Sequence, residues 1–151
     1  MIIEKALRTD LPKILALQYI AYQSEARLCN NPLIPPLTQT LEEVVIEFYS
    51  GIFLKVENAC GDIVASVRAC SENGSLHIGK LIVHPDLQGQ GIGTRLLREI
   101  EHLCPQRRYV LFTSNKSARN IRLYQRIGYT AFREQDMGDG LKFIFLEKIR
   151  A

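Results

Sequence analysis

The stretch DLQGQGIGTRLL, Asp86 to Leu97, sets glycines at 89, 91 and 93 and then runs directly into a helical pattern. Glycines this dense at the mouth of a helix let backbone amides approach a ligand closely, and a helix N-terminus favours an anion such as phosphate. A turn that only caps a helix needs one glycine, so the others require another reason. Two familiar phosphate loops do not fit. No lysine follows the last glycine, as the pattern G-x-x-x-x-G-K-[S/T] demands. The dinucleotide pattern G-x-G-x-x-G would need glycine where the chain has Thr94 or Leu96. What fits is Gln88-x-x-Gly91-x-Gly93, placed after the strand-like run Leu81-Ile82-Val83 and the turn at His84-Pro85.

Reading outward from this loop, residues 51–58, 62–70 and 75–83 form three consecutive strand patterns. They are joined by the hairpin signals Ala59-Cys60-Gly61 and Glu72-Asn73-Gly74. Residues 1–8 read as a first strand. Residues 9–26 read as a helix with Thr9 or Asp10 as cap and Pro12 in the first turn, and 40–50 as a second helix capped by Thr40. Between them, residues 29–37 are proline-rich and irregular. Downstream, Ile92, Leu96, Ile100 and Leu103 follow helical spacing, 108–114 is an apolar strand, and 117–129 is an amphipathic helix closed by Gly128. Two last strands are expected near 129–136 and 141–149, around the turn Met137-Gly138-Asp139-Gly140. The order β α α β β β α β α β β predicts an α/β (α+β) fold, a mixed sheet flanked by helices.

The bulk composition narrows the class. At 151 residues, 46% hydrophobic and 23% charged, the chain is expected to form a single domain over 1–151 with a sizeable core. A net charge of +3 is too mild to demand nucleic acid, yet suits a small anionic ligand. No apolar run is long enough to span a membrane. The N-terminus carries Glu4 and Asp10 instead of a signal-peptide core. Cys29, Cys60, Cys70 and Cys104 form no C-x-x-C pair, and the histidines near them lack zinc-ligand spacing. A reduced, cytoplasmic protein without a metal site is the expectation.

Taken together, LIVHPDLQGQGIGTRLL and SARNIRLYQRIGY resemble the GNAT superfamily of acyl-CoA-dependent N-acyltransferases. The first matches its loop Q/R-x-x-G-x-G/A, and the second its helix ending L-Y-x-(K/R)-x-G-(F/Y). The resemblance implies a mostly antiparallel sheet with about four helices and a splayed strand pair holding coenzyme A. Acetyl-CoA is then the donor, its pyrophosphate cradled by the loop Gln88, Gly89, Gln90, Gly91, Ile92, Gly93 and Thr94. The pantetheine arm pairs with main-chain groups of Leu81, Ile82 and Val83, in the manner of an added strand. An N–H near Val83 polarises the thioester carbonyl.

Ser117, Asn120 and Tyr124 share one face of the later helix. Tyr124 matches the position where the family places the acid that protonates the CoA thiolate. The family often has asparagine seven residues earlier, where this chain has Ser117, and Asn120 is the candidate to bond the pantetheine arm instead. Some members carry a glutamate base on the strand before this helix; the matching position here is Phe112. Two bases remain, His77 on the strand leading to the loop and Glu25 near the end of the first helix, with loss of the proton to water as a third route. The acceptor region spans Tyr19 to Tyr49 and includes Tyr22, Glu25, Asn30, Asn31, Glu42 and Glu43. A metabolite amine, a peptide N-terminus and a protein lysine all stay open as acceptor. The alternative is a sensor or partner domain that binds acyl-CoA without chemistry, against which Tyr124 argues. Homodimerisation through the C-terminal strands is possible.

Overall fold

A computed structural model describes residues 1–150 of the chain. Seven strands make one sheet: β1 (Ile3–Lys5), β2 (Ile52–Glu57), β3 (Ile63–Glu72), β4 (Ser75–Val83), β5 (Arg108–Ser114), β6 (Thr130–Gly138) and β7 (Leu141–Ile149). Their order across the sheet is β1-β2-β3-β4-β5-β7-β6. All neighbours run antiparallel except β4 and β5, which are parallel and are connected through helix α5 (Ile92–Leu103). The other long helices are α1 (Leu11–Ala21), α4 (Leu41–Tyr49) and α6 (Ala118–Ile127). Two short ones, α2 (Gln23–Leu28) and α3 (Pro35–Thr38), lie between α1 and α4.

Helices cover both faces of the sheet over β2, β3 and β4. On one, Leu96, Leu97 and Ile100 of α5 and Tyr124 and Ile127 of α6 pack on Leu54, Val67, Leu76 and Leu146. On the other, Leu11, Ile14 and Leu17 of α1 and Val44 of α4 pack on Phe53 and Ile82. Alternating side chains along β2, β3 and β4 serve both layers, which is why β3 is buried from Ile63 through Ala69. Leu103, expected on the apolar stripe of α5, is 40% exposed; Leu97 takes its place in the core.

Four local departures from the sequence reading stand out. The first strand is only three residues long, because the chain turns at Leu7 into a 3-10 turn over Arg8–Asp10. The Asp10 carboxylate closes that turn by accepting from the Leu7 amide at 2.7 Å, so it does not cap α1 with its side chain. The first helix, expected over 9–26, breaks at Tyr22 and restarts as α2. The proline-rich segment contains the single turn α3, with two prolines in its first positions, where their missing N–H groups are not needed. Thr40 does cap α4: its hydroxyl accepts from the Glu43 amide at 3.2 Å, and the Glu43 carboxylate accepts from the Thr40 amide at 2.9 Å. Asn73 and Gly74 both adopt positive φ in the β3–β4 turn, as a two-residue hairpin requires.

Candidate functional site

The parallel strands β4 and β5 pair only over Ser75–His77 against Arg108–Val110. Beyond that point β4 continues to Val83 beside β3, while β5 continues to Ser114 beside β7. The edge of β4 that carries Leu81, Ile82 and Val83 therefore has no strand beside it on the β5 side. The splay begins with a β-bulge: Ser66 faces Ile82 and Arg68 faces Gly79, so β4 holds one extra residue. Within it, Lys80 has φ +45°, a conformation that non-glycine residues rarely adopt.

Gly89 and Gly91, both at φ near +80°, turn the chain into α5, with Gly91 at the N-cap. Gly93 has an ordinary backbone; a Cβ there would rest on Leu123 and Leu81 at 3.5–3.6 Å, so α5 and α6 approach closely at that residue. None of the amides from Gly89 to Thr94 donates to a protein acceptor among the described residues. Such a row of unpaired N–H groups at a helix start is a concavity for an anion. Gln88 is held on one side by Arg119, which donates to its Oε1, and its own Nε2 donates to the Val83 carbonyl at 3.4 Å. That contact brings a guanidinium to the rim of the loop.

Tyr124 is 6% exposed, its ring centroid 6.2 Å from that of Tyr129. Its hydroxyl has no hydrogen-bond partner among the described residues, unlike Tyr19, Tyr109 and Tyr129, whose hydroxyls donate to Gln39, Glu101 and Glu101 respectively. Burial, then the nearby Tyr22 and Glu25, push the Tyr124 phenol well above its ordinary pKa, so it stays protonated at any working pH. Ser117, 5% exposed at the N-cap of α6, donates to Glu25 Oε1 at 2.6 Å. The break at Tyr22 thus brings α2 against the start of α6 and sets Tyr22, Glu25, Ser117 and Tyr124 in one neighbourhood. Asn120 donates to the Thr113 hydroxyl at 3.4 Å.

His77 stands elsewhere, opposite Val110 where β4 and β5 still pair. It lines a groove of about 320 Å³ on the α1–α4 face, together with Phe53, Arg68, Gly79, Phe112 and Phe145. Phe112 is half exposed and stacks with Phe143 and Phe145, giving this groove an aromatic wall. Of the carboxylates expected in the acceptor region, Glu43 is spent on the α4 cap and Glu42 is exposed.

A cluster that sequence reasoning missed sits at the same groove. Arg68, 4% exposed, donates from Nη2 to Gln18 Oε1 at 2.7 Å and pairs through Nη1 with Glu47 Oε1 at 3.3 Å. Its guanidinium lies 4.6 Å from the Phe53 ring centroid. Lys80 reaches the same Glu47 oxygen at 3.4 Å, and Gln39 donates to it as well. Burial raises the Glu47 pKa, but Arg68 and Lys80 outweigh it and hold the group below the usual carboxylate value. The available signal was a charge within the apolar runs IVASVRAC and HIGKLIV, where a buried strand has no solvent to receive it.

Residues 37–150 match the family model described as an acetyltransferase (GNAT) domain. The chain is 31% identical over 110 residues to the S-(2-succino)cysteine N-acetyltransferase of Bacillus subtilis, covering 61% of this chain and 67% of that one. Among solved structures, the ribosomal-protein-S18-alanine N-acetyltransferase of Escherichia coli superposes with a TM-score of 0.80 at 17% identity, over 98% of this chain and 92% of that one. The PaiA N-acetyltransferase of Thermoplasma acidophilum, solved with coenzyme A, superposes at 0.79 and 16% identity, over 99% and 100%. The splayed strands, the amide-rich loop and the matched model agree: the chain belongs to the GNAT family of acetyltransferases.

Proposed function

We propose that the protein transfers an acetyl group from acetyl-CoA to a primary amine by direct attack, both substrates being bound together. The observation that carries this reading is Tyr124, a side chain only 6% exposed whose hydroxyl has no partner among the described residues and feels the Glu25 carboxylate. The residues present also suit the donor. Amides from Gly89 to Thr94 are free to bond a pyrophosphate, and the uncovered edge of β4 at Leu81–Val83 suits the amides of a pantetheine arm. An acetyl thioester supplies the activated acyl carbon. In this reading Glu25, steadied by Ser117, takes the proton of the incoming ammonium, directly or through water. The C–N bond forms as the C–S bond breaks, Tyr124 gives its proton to the departing sulfur, and the second proton shed by the acylated nitrogen restores the Tyr124 phenol. His77, first of the two bases by sequence, lines the groove instead and is assigned to the acceptor wall. The Bacillus subtilis relative, named for a cysteine derivative, supports a small amine as acceptor.

The test is free-thiol release from acetyl-CoA in the presence of a panel of small amines, amino acids and peptides with free N-termini. Amine-dependent thiol release with a matching N-acetylated product is expected. Coenzyme A binding without amine-dependent release from any member overturns the reading.

A further inference from the structure

From the groove on the α1–α4 face we infer that the acceptor amine carries a carboxylate, held by Arg68 and Lys80; this deepens the transferase reading and rests on it. Two cations meet there and share one oxygen of one carboxylate, Glu47 Oε1, which also receives Gln39. The Glu47 side chain is itself 35% exposed, whereas Arg68 is 4% and Lys80 25% exposed. The cluster as a whole therefore carries one more positive than negative charge, and Arg68 and Glu47 are its members that line the groove. Glu43, which also lies within electrostatic reach of Lys80, has its carboxylate committed to the cap of α4. Burial pushes both cations below their ordinary pKa against the opposing pull of Glu47.

Three further features point to a ligand instead of a structural ion pair. Arg68 Nε is the one buried side-chain polar atom without a partner among the described residues, so the guanidinium that lines the groove carries a donor the protein leaves unmet. Lys80 reaches the cluster only through the bulge and a strained backbone, a cost that accumulates at functional positions. Gly79, opposite Arg68, has an ordinary φ, and a Cβ there would meet nothing within 4 Å. Neither backbone nor packing demands that glycine; what it leaves is open space beside Arg68. A carboxylate seated there would meet the planar guanidinium of Arg68, with Phe112 and Phe145 against the rest of the molecule, and the Lys80 ammonium stands just behind, 3.4 Å from the groove residue Glu47.

The experiment compares amino acids with their carboxamides as acceptors, in matched pairs with aliphatic, aromatic and thioether side chains. The carboxylate partner of at least one pair is expected to be favoured about 10- to 100-fold in kcat/KM, the range for a hydrogen bond to a charged group. Lys80→Met and Arg68→Lys should each lower that ratio by about tenfold, since one removes a charge and the other the planar fork. Lys80 is partly exposed, so its variant keeps the test available should the Arg68 variant fail to fold. Thermal melts identify folded variants. Carboxamides turning over as well as their acids in the wild-type protein would overturn the carboxylate assignment and leave the transferase reading intact. So would a Lys80→Met ratio equal to the wild-type ratio. No thiol release from any pair in a coenzyme A-binding protein would overturn both.

Discussion

Replacing Tyr124 by phenylalanine separates chemistry from packing unusually well in this chain. The ring remains, with its neighbour Tyr129 at 6.2 Å between centroids, and only one oxygen is lost. A tyrosine whose buried hydroxyl held a carbonyl would cost about 1 kcal/mol on losing it. Here that hydroxyl has no partner among the described residues, so the stability change should stay within about 0.5 kcal/mol, a melting shift under about 2 °C for a chain of this size. Turnover should behave oppositely. A positioned acid contributes about 10²- to 10⁴-fold, or about 2.7–5.5 kcal/mol of barrier at 1.36 kcal/mol per tenfold. The assay is kcat from thiol release at saturating acetyl-CoA, with coenzyme A affinity measured separately by calorimetry. A 100-fold fall in kcat at unchanged affinity and melting point is expected. A kcat within about threefold of wild type would remove Tyr124 from proton transfer. A melting loss of several degrees would show that the hydroxyl serves the fold.

Glu25→Gln keeps an oxygen for the Ser117 hydroxyl, so it should fold and yet lose about 100-fold in kcat, whereas His77→Gln should alter kcat by less than about threefold; the reverse ranking would return the base to His77. Burial raises the Asp10 pKa, but the Lys55 ammonium at 2.8 Å and the Leu7 amide outweigh it and hold the carboxylate below its ordinary value, while Lys55 is pushed up to about 12. A depressed carboxylate pKa contributes stability that is fully present above the unfolded value of about 3.9 and is lost as pH falls through the folded value. Asp10→Asn should therefore cost about 1 kcal/mol at pH 7, and the gap to wild type should close towards pH 3 in denaturant titrations. A gap that stays constant over that range would refute the linkage.

Much of the proposed donor site shows in the sequence because it is local. A loop that must turn twice through positive φ and leave its amides free shows this in the spacing of Gly89 and Gly91, whatever surrounds it. The strand 108–114 and the cap at Thr40 were equally readable, since each depends on residues within a few positions of one another. The same holds for Ser117, Asn120 and Tyr124 on one turn-spaced face.

The proposed acceptor site has no such local code. Glu25 and Ser117 are 92 positions apart, and Arg68 and Gln18 are 50 apart; they meet only because α1 and α2 fold over a sheet whose central strands come later in the chain. The break at Tyr22, which turns Glu25 towards α6, carries neither proline nor glycine to announce it. Lys80 looks like a mid-strand residue until the bulge in β4 directs it to Glu47, and a bulge is set by the register between two strands, not by either alone. By itself, then, the sequence determined the loop, the strand and helix patterns and the tyrosine, all short-range features of backbone conformation and periodicity. Only the tertiary structure decided which distant charges share a groove, because long-range electrostatic contacts follow from packing geometry that no single segment contains.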